Sequence, residues 1–354
     1  MRGGTELAIQ RAEITVGVDS HKDFNVAVAL DAQGRVLGTT TVPTTTDGHS
    51  RLFTWAKSFG PVAAVGIEGT GSYGAGLCRR LRATGVRVLE VQRPARKAAR
   101  GAGKTDSRDA ERAARAVLSG EARVLPKGGD GAVESLRLIW SSRRGAVKAR
   151  TQAANQLHGL LVTAPDALRG ELRPLSCPQL AARAARWRVC SASDPRTACR
   201  LAIHSVARRY LVLGQEVKAL DQEVRRLVDQ VAPQLVAARG IGYETAAALL
   251  VAAGDNPDRM RSEAAFAHLC GAAPIPASSG RTVRHRLNRA GERQANRALF
   301  LIVLCRMYRD ERTKAYVARR TAQGLSKKEI IRCLKRYVAR EVFALLPGRG
   351  GCES

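Results

Sequence analysis

The chain has 354 residues, and its 59 Lys and Arg against 31 Asp and Glu give a formal net charge of +28. A hydrophobic content of 45% excludes a disordered chain and suffices for two or three domains, while so large a positive charge selects a polyanion as partner. MRGGTELAIQRAE has no apolar leader and no run of about 18 apolar residues follows, so neither secretion nor membrane insertion is expected and the compartment is the cytoplasm.

Glu13 to Leu30 reads as two apolar, β-branched runs, Ile14–Val18 and Asn25–Leu30, around the polar turn Ser20-His21-Lys22-Asp23. Asp19 ends the first run, where a buried strand delivers a carboxylate to the sheet edge; taken alone, it could equally just open the turn. Arg35–Val42 reads as a third strand and Asp47–Phe59 as a helix. Val62–Ile67 is an apolar run like a buried parallel strand, and it too ends on a carboxylate, Glu68. The glycine-rich loop Gly69–Gly74 opens a helix through Leu77 and Leu81, and Val86–Val91 is another strand. That loop lacks a Gly-Lys-Ser/Thr ending and Rossmann spacing, so no nucleotide cofactor is expected. The whole region reads as a mixed α/β domain.

From Gln92 the chain turns basic, with Arg93, Arg96, Lys97 and Arg100, and a helix opens at Lys104-Thr105-Asp106-Ser107-Arg108-Asp109. Asp106 and Asp109, three apart, share one helix face in the first turn. They could be a cap and its partner, or two more ligands. With Asp19 and Glu68 they would make four mutually repelling carboxylates, which hard cations would neutralise: Mg²⁺ or Mn²⁺, two of them about 4 Å apart, as in phosphodiester chemistry. The phrases GVDSHKD, GIEGTGSYG and KTDSRDA resemble the three blocks of the RNase H-like, RuvC-type DEDD domain of the insertion-sequence 110 family of transposases. The resemblance implies that Asp19, Glu68, Asp106 and Asp109 are catalytic metal ligands; Arg93, Lys104 and Arg108 would hold a nucleic-acid backbone.

Arg137–Gly159 reads as a helix with a basic face (Arg143, Arg144, Lys148, Arg150), broken by Pro165, Pro174 and Pro178; that face is either solvated or a nucleic-acid contact. Leu213, Val217, Leu220, Val224, Leu227 and Val231 form a heptad seam, either a coiled coil between subunits or a helix packed within the chain. Leu235–Ala247 reads as helix, Gly-Ile-Gly turn, helix, which is a phosphate-binding hairpin or an ordinary turn. Then come Pro274-Ile275-Pro276-Ala277-Ser278-Ser279-Gly280 and the basic patch Arg281, Arg284, Arg286 and Arg289. By chemistry alone Ser-Ser-Gly is a loop. The pattern P-x-x-x-S-S-G with basic residues after it, followed by Gly291-Glu292-Arg293-Gln294-Ala295-Asn296-Arg297, is similar to the transposase domain of the same family, whose serine forms a phosphoserine link to DNA. That resemblance selects Ser279 as nucleophile, with Ser278 in reserve, and the arginines including Arg293 and Arg297 as nucleic-acid contacts. Ala295–Met307 and Lys327–Leu345 read as two amphipathic helices. None of the eight cysteines forms a C-x-x-C pair, so all are expected to be reduced thiols.

The resemblance covers residues 12 to 120 and 233 to 309. It implies an RNase H-like α/β domain (1–150), a helical coiled-coil connector (151–232) and a mainly α transposase domain (233–354). The implied function is a site-specific DNA recombinase of an insertion sequence, acting as a homo-oligomer on donor and target DNA with a guide (bridge) RNA. The alternatives are a RuvC-type metal-dependent junction-resolving nuclease using water, or a non-catalytic nucleic-acid-binding protein.

Overall fold

Along β1 (Ile14–Ser20) apolar Ile14, Val16 and Val18 alternate with Thr15, Gly17 and Asp19, and all seven residues are buried because the strand is central in its sheet. The computed structural model describes residues 13–91, 105–188, 191–256, 259–277, 285–289 and 291–348. β1 pairs antiparallel with β2 (Phe24–Leu30), which pairs antiparallel with β3 (Val36–Pro43). Asp31 closes the second turn by accepting the backbone N–H groups of Gln33 and Arg35. Helix α1 (Thr46–Phe59) leads to β4 (Val62–Glu68), which lies parallel to β1 on its other side. After α2 (Ala75–Ala83), β5 (Val88–Val91) pairs parallel with β4; α3 (Asp106–Leu118) follows. The strand order is β3-β2-β1-β4-β5.

The alternation in β1 sorts the two faces. Ile14, Val16 and Val18 pack with Leu52, Ala56, Leu77 and Leu81 of α1 and α2. On the other face Val26, Val28 and Leu30 of β2 pack against Ala110 and Ala114 of α3. Thr15, Gly17 and Asp19 therefore share the α3 face, by the two-residue period of a strand.

Contact clustering divides the chain into two compact units, one running to Gly131 and including Ala253–Arg261, the other made of Ala132–Ala252 and the chain from Ser262. Within the first unit, Asn256 donates to the carbonyl of Pro126 at 3.0 Å. The second unit is mostly helical. α4 (Ala132–Val162), α5 (Asp166–Leu172), α6 (Cys177–Ala184) and the 37-residue α7 (Pro195–Val231) share a core built on Leu157, Leu168, Leu172, Leu180 and Ile203. Pro165 is the N-cap of α5, and α6 and α7 each carry proline in the first turn. These prolines start helices, where a missing N–H costs nothing.

Two readings of the sequence are refined here. The seam on α7 packs against α4 inside the chain, with Val217, Val224 and Leu227 buried and Leu213, Leu220 and Val231 half-buried. On the basic face of α4, Arg143 is tied to Asp221 of α7 at 2.6 Å and to Glu244 at 2.7 Å.

α8 (Pro233–Ala237) and α9 (Tyr243–Ala253) flank the Gly-Ile-Gly turn, where the Gly242 N–H already donates to the Thr245 hydroxyl. α10 (Glu263–Leu269) precedes the short pair β6 (Ile275–Pro276) and β7 (His285–Arg286). Three helices close the chain: α11 (Arg293–Arg309), α12 (Glu311–Ala322) and α13 (Lys327–Ala344). The sequence reading found only the outer two, because α12 (ERTKAYVARRTA) buries a single residue, Thr313, and offers no apolar stripe. Among the described residues, the cysteines are free thiols, and no helix is long and apolar enough to cross a membrane.

Candidate active site

Asp19 and Glu68 are Cα partners in the parallel register of β1 and β4, so two carboxylates 49 positions apart in sequence stand side by side. Both are buried, at 4% and 5% exposure. The turn beneath them is fastened by Ser20, whose hydroxyl donates to the Glu68 carbonyl at 2.6 Å.

Two glycines let α3 reach this edge. A Cβ on Gly17 would lie 2.0 Å from the carbonyl oxygen of Ala110 and 2.2 Å from the backbone nitrogen of Ala114; one on Gly66 would lie 2.8 Å from the carbonyl oxygen of Ala113. Opposite them, Ala110, Ala113 and Ala114 are fully buried. With small residues on both sides, the helix backbone lies directly on the sheet. Each glycine precedes its strand carboxylate by two residues, so the surface that seats α3 also carries Asp19 and Glu68.

The first turn of α3 then presents Asp106 and Asp109. Its N-cap is Thr105, so neither aspartate occupies the capping position. Nε2 of His21 lies 3.1 Å from Oδ2 of Asp19 and 3.6 Å from Oδ1 of Asp106. Arg112, one turn beyond Asp109, donates to Oδ1 of Asp109 and to Oε2 of Glu68, each at 3.0 Å. All four expected carboxylates thus gather at one sheet edge, knitted together by an imidazole and a guanidinium. Burial pushes the Asp19 carboxyl above the usual aspartate range; His21 lowers it, while Glu68, Asp109 and Asp106 raise it further.

One ligand atom from each of Asp19, His21 and Asp106 lies within 4.8 Å of the others, close enough to share one cation. Carboxylate oxygens are the donors that Mg²⁺ and Mn²⁺ prefer, and a buried, crowded carboxylate is stabilised by the charge such an ion brings. The donor set fits a hard divalent cation.

The sequence reading did not select His21, Arg112, Gly17 or Gly66. The signals were present as Gly-x-Asp-x-His, Gly-x-Glu and Asp-x-x-Arg, but their meaning depends on which strands and helix meet. Of the expected nucleic-acid contacts, Arg108, Arg286, Arg289, Arg293 and Arg297 are exposed. Arg93, Lys104, Ser278, Ser279, Arg281 and Arg284 lie outside the described residues.

Comparison with known proteins gives two family matches. Residues 16–164 match a transposase family of the DEDD, IS110 type, and residues 232–318 match the transposase IS116/IS110/IS902 family. The four carboxylates fall within the first stretch and the Ser-Ser-Gly loop within the second. An insertion element IS110 uncharacterized 43.6 kDa protein of Streptomyces coelicolor is 30% identical over 149 residues, covering 41% of this chain. The matched stretch spans only 36% of that relative's length.

Proposed function

The chain belongs to the IS110 family of transposases, and from that premise we propose that it is a site-specific DNA recombinase of an insertion sequence, which cuts and rejoins strands through Ser279. The observation that carries this reading is the convergence of Asp19, Glu68, Asp106 and Asp109 at one sheet edge. Those residues would hold Mg²⁺ or Mn²⁺, which when bound supplies charge stabilisation to the phosphodiester under attack. His21 orients Asp19 and Asp106, and Arg112 keeps Glu68 and Asp109 aimed at the same space.

The bond changes are simple. The Ser279 oxygen forms a bond to phosphorus, a P–O bond to the departing strand breaks, the serine proton leaves, and the departing oxygen is protonated. Attack by that strand on the phosphoserine reverses the exchange and frees the serine. The excess of basic residues supports DNA as substrate and a guide (bridge) RNA as partner. Such a basic, aromatic-poor surface follows backbone shape and leaves sequence to base pairing. In this reading the protein acts in the cytoplasm as a homo-oligomer, the carboxylates of one subunit completing a site with the serine of another.

The test is a denaturing gel of labelled donor DNA after reaction in Mg²⁺. Wild type is expected to leave a protein–DNA adduct that Ser279→Ala abolishes and Ser278→Ala retains, and Asp19→Ala should abolish cleavage. Cleavage by wild type with no adduct at any time would identify water as the nucleophile and favour a RuvC-type nuclease. Nucleic-acid binding with no metal-dependent cleavage would leave only a packaging role.

A further inference from the structure

Residues 271–274, β7 and α13 enclose a cleft of about 880 Å³ in the second unit, large enough for several nucleotide-sized groups. Its lining is basic, with Arg286, Arg332, Lys335, Arg336 and Arg340 against a single carboxylate, Glu329. Some of that charge is already answered. Glu263 of α10 takes both Arg336 and Arg340, and Glu329 turns back to cap α13 through Ser326. Arg332 is only loosely paired with Glu329, at 3.9 Å. Arg286 is exposed and in no ion pair among the described residues.

Lys335 is the unusual member. It is 93% buried by its 7% exposure, and its ammonium donates to the Asn296 amide oxygen at 3.0 Å, with no carboxylate paired to it among the described residues. Burial, followed by the charge of Arg332, pushes it below the usual lysine range. An ammonium taken out of water beside other cations and given only a neutral amide is poorly compensated; an anion in the cleft supplies what is missing. Arginine forks nearby suit the flat, paired oxygens of a phosphate.

We propose that this cleft binds the phosphodiester backbone of the DNA strand being cut, with Lys335 at its floor and Arg286 and Arg332 at its mouth. DNA is preferred to RNA because the cleft sits at the base of the nucleophile's loop. Ala273 and Pro274 on one side and His285 and Arg286 on the other line it, β6 and β7 pair there, and Ser279 follows Pro276 by three residues in sequence. α13 lies beyond both stretches matched to known families, so the family comparison assigns this surface nothing. The proposal rests on reading the second unit as the serine-bearing, DNA-cutting half.

The experiment measures equilibrium binding of the full chain, in a Ser279→Ala background with EDTA, to a labelled 30-base-pair duplex and to a labelled RNA of equal length. Lys335→Met, Arg286→Gln and Arg332→Gln are compared with Arg208→Gln, which removes one exposed charge from α7. Each cleft variant is expected to weaken duplex binding about tenfold more than the control and to make the log–log salt slope shallower by about 1. Lys335→Met should do so without lowering the melting temperature, because a desolvated charge is removed. If all three variants match Arg208→Gln, the site is overturned. If only Lys335→Met loses affinity and it also melts earlier, Lys335 is a fastener for Asn296 and the proposal likewise falls. A loss confined to RNA overturns the assignment to DNA. Because no chemistry occurs in EDTA, these outcomes are independent of the adduct test; a missing adduct sinks the recombinase reading while leaving the binding result to stand.

Discussion

A carboxylate such as Asp19, buried to 4% exposure among three others, is held against its own electrostatic interest. Asp19→Asn keeps the shape and the contact with His21 but removes a charge that burial disfavours. The variant should therefore melt no lower than wild type at neutral pH in chelator, while losing strand cleavage. Saturating Mg²⁺ at a hundred times its dissociation constant should stabilise wild type by about 2.7 kcal/mol and Asp19→Asn far less. Thermal melts with and without Mg²⁺ make the measurement, and equal metal-induced shifts in the two proteins would remove Asp19 from the ligand set. Glu263 presents the opposite case, since hydrogen bonding from Arg336 holds it at about 2 instead of the ordinary 4.5. Its folded-state value is the lower one, so its contribution to stability is complete above about 4.5 and is lost as the pH falls toward 2. Glu263→Gln should lower the melting temperature at pH 7 and flatten the acid limb of the stability profile; parallel wild-type and variant profiles between pH 5 and 2 would contradict this.

At the scale of elements, the site depends on how closely α3 lies on β1 and β4. Gly17→Ala sets a methyl against backbone of Ala110 and Ala114, which cannot swing aside as a side chain would. It should cost about 3 kcal/mol, the upper end for overpacking, and displace Asp106 and Asp109 from Asp19. Gly71→Ala, whose added methyl meets nothing within 4 Å, should be nearly neutral. Denaturant midpoints of the pair provide the check, and equal midpoints would mean that α3 is not seated by these glycines. Strands β1, β2 and β4 were legible in the sequence because alternation and β-branching are local properties, and Asp19 and Glu68 stood out as strand-terminal carboxylates. The helix opening at Asp106 was equally legible. His21 and Arg112 were not, because each acquires its role only from partners that the strand register and the descent of α3 bring near. Nor could α12 be read, a helix with too little apolar surface to announce a period.

On the scale of the whole molecule, the sequence divided correctly into a mixed α/β beginning and a helical remainder, since the switch from two-residue to near-four-residue periodicity survives averaging over long stretches. Less visible was that the first unit is discontinuous. It closes only when Ala253–Arg261 joins residues that end at Gly131. On the ribosome this imposes an order of events. At roughly 5 to 20 residues per second, some seconds to tens of seconds separate the emergence of α3 from that of the final segment of its unit. Throughout that delay the nascent chain already holds all four acidic residues but not the strap that Asn256 anchors at Pro126. The last piece of the acidic unit thus arrives together with the start of the serine-bearing half, and a polypeptide abandoned midway leaves the acidic unit unfinished.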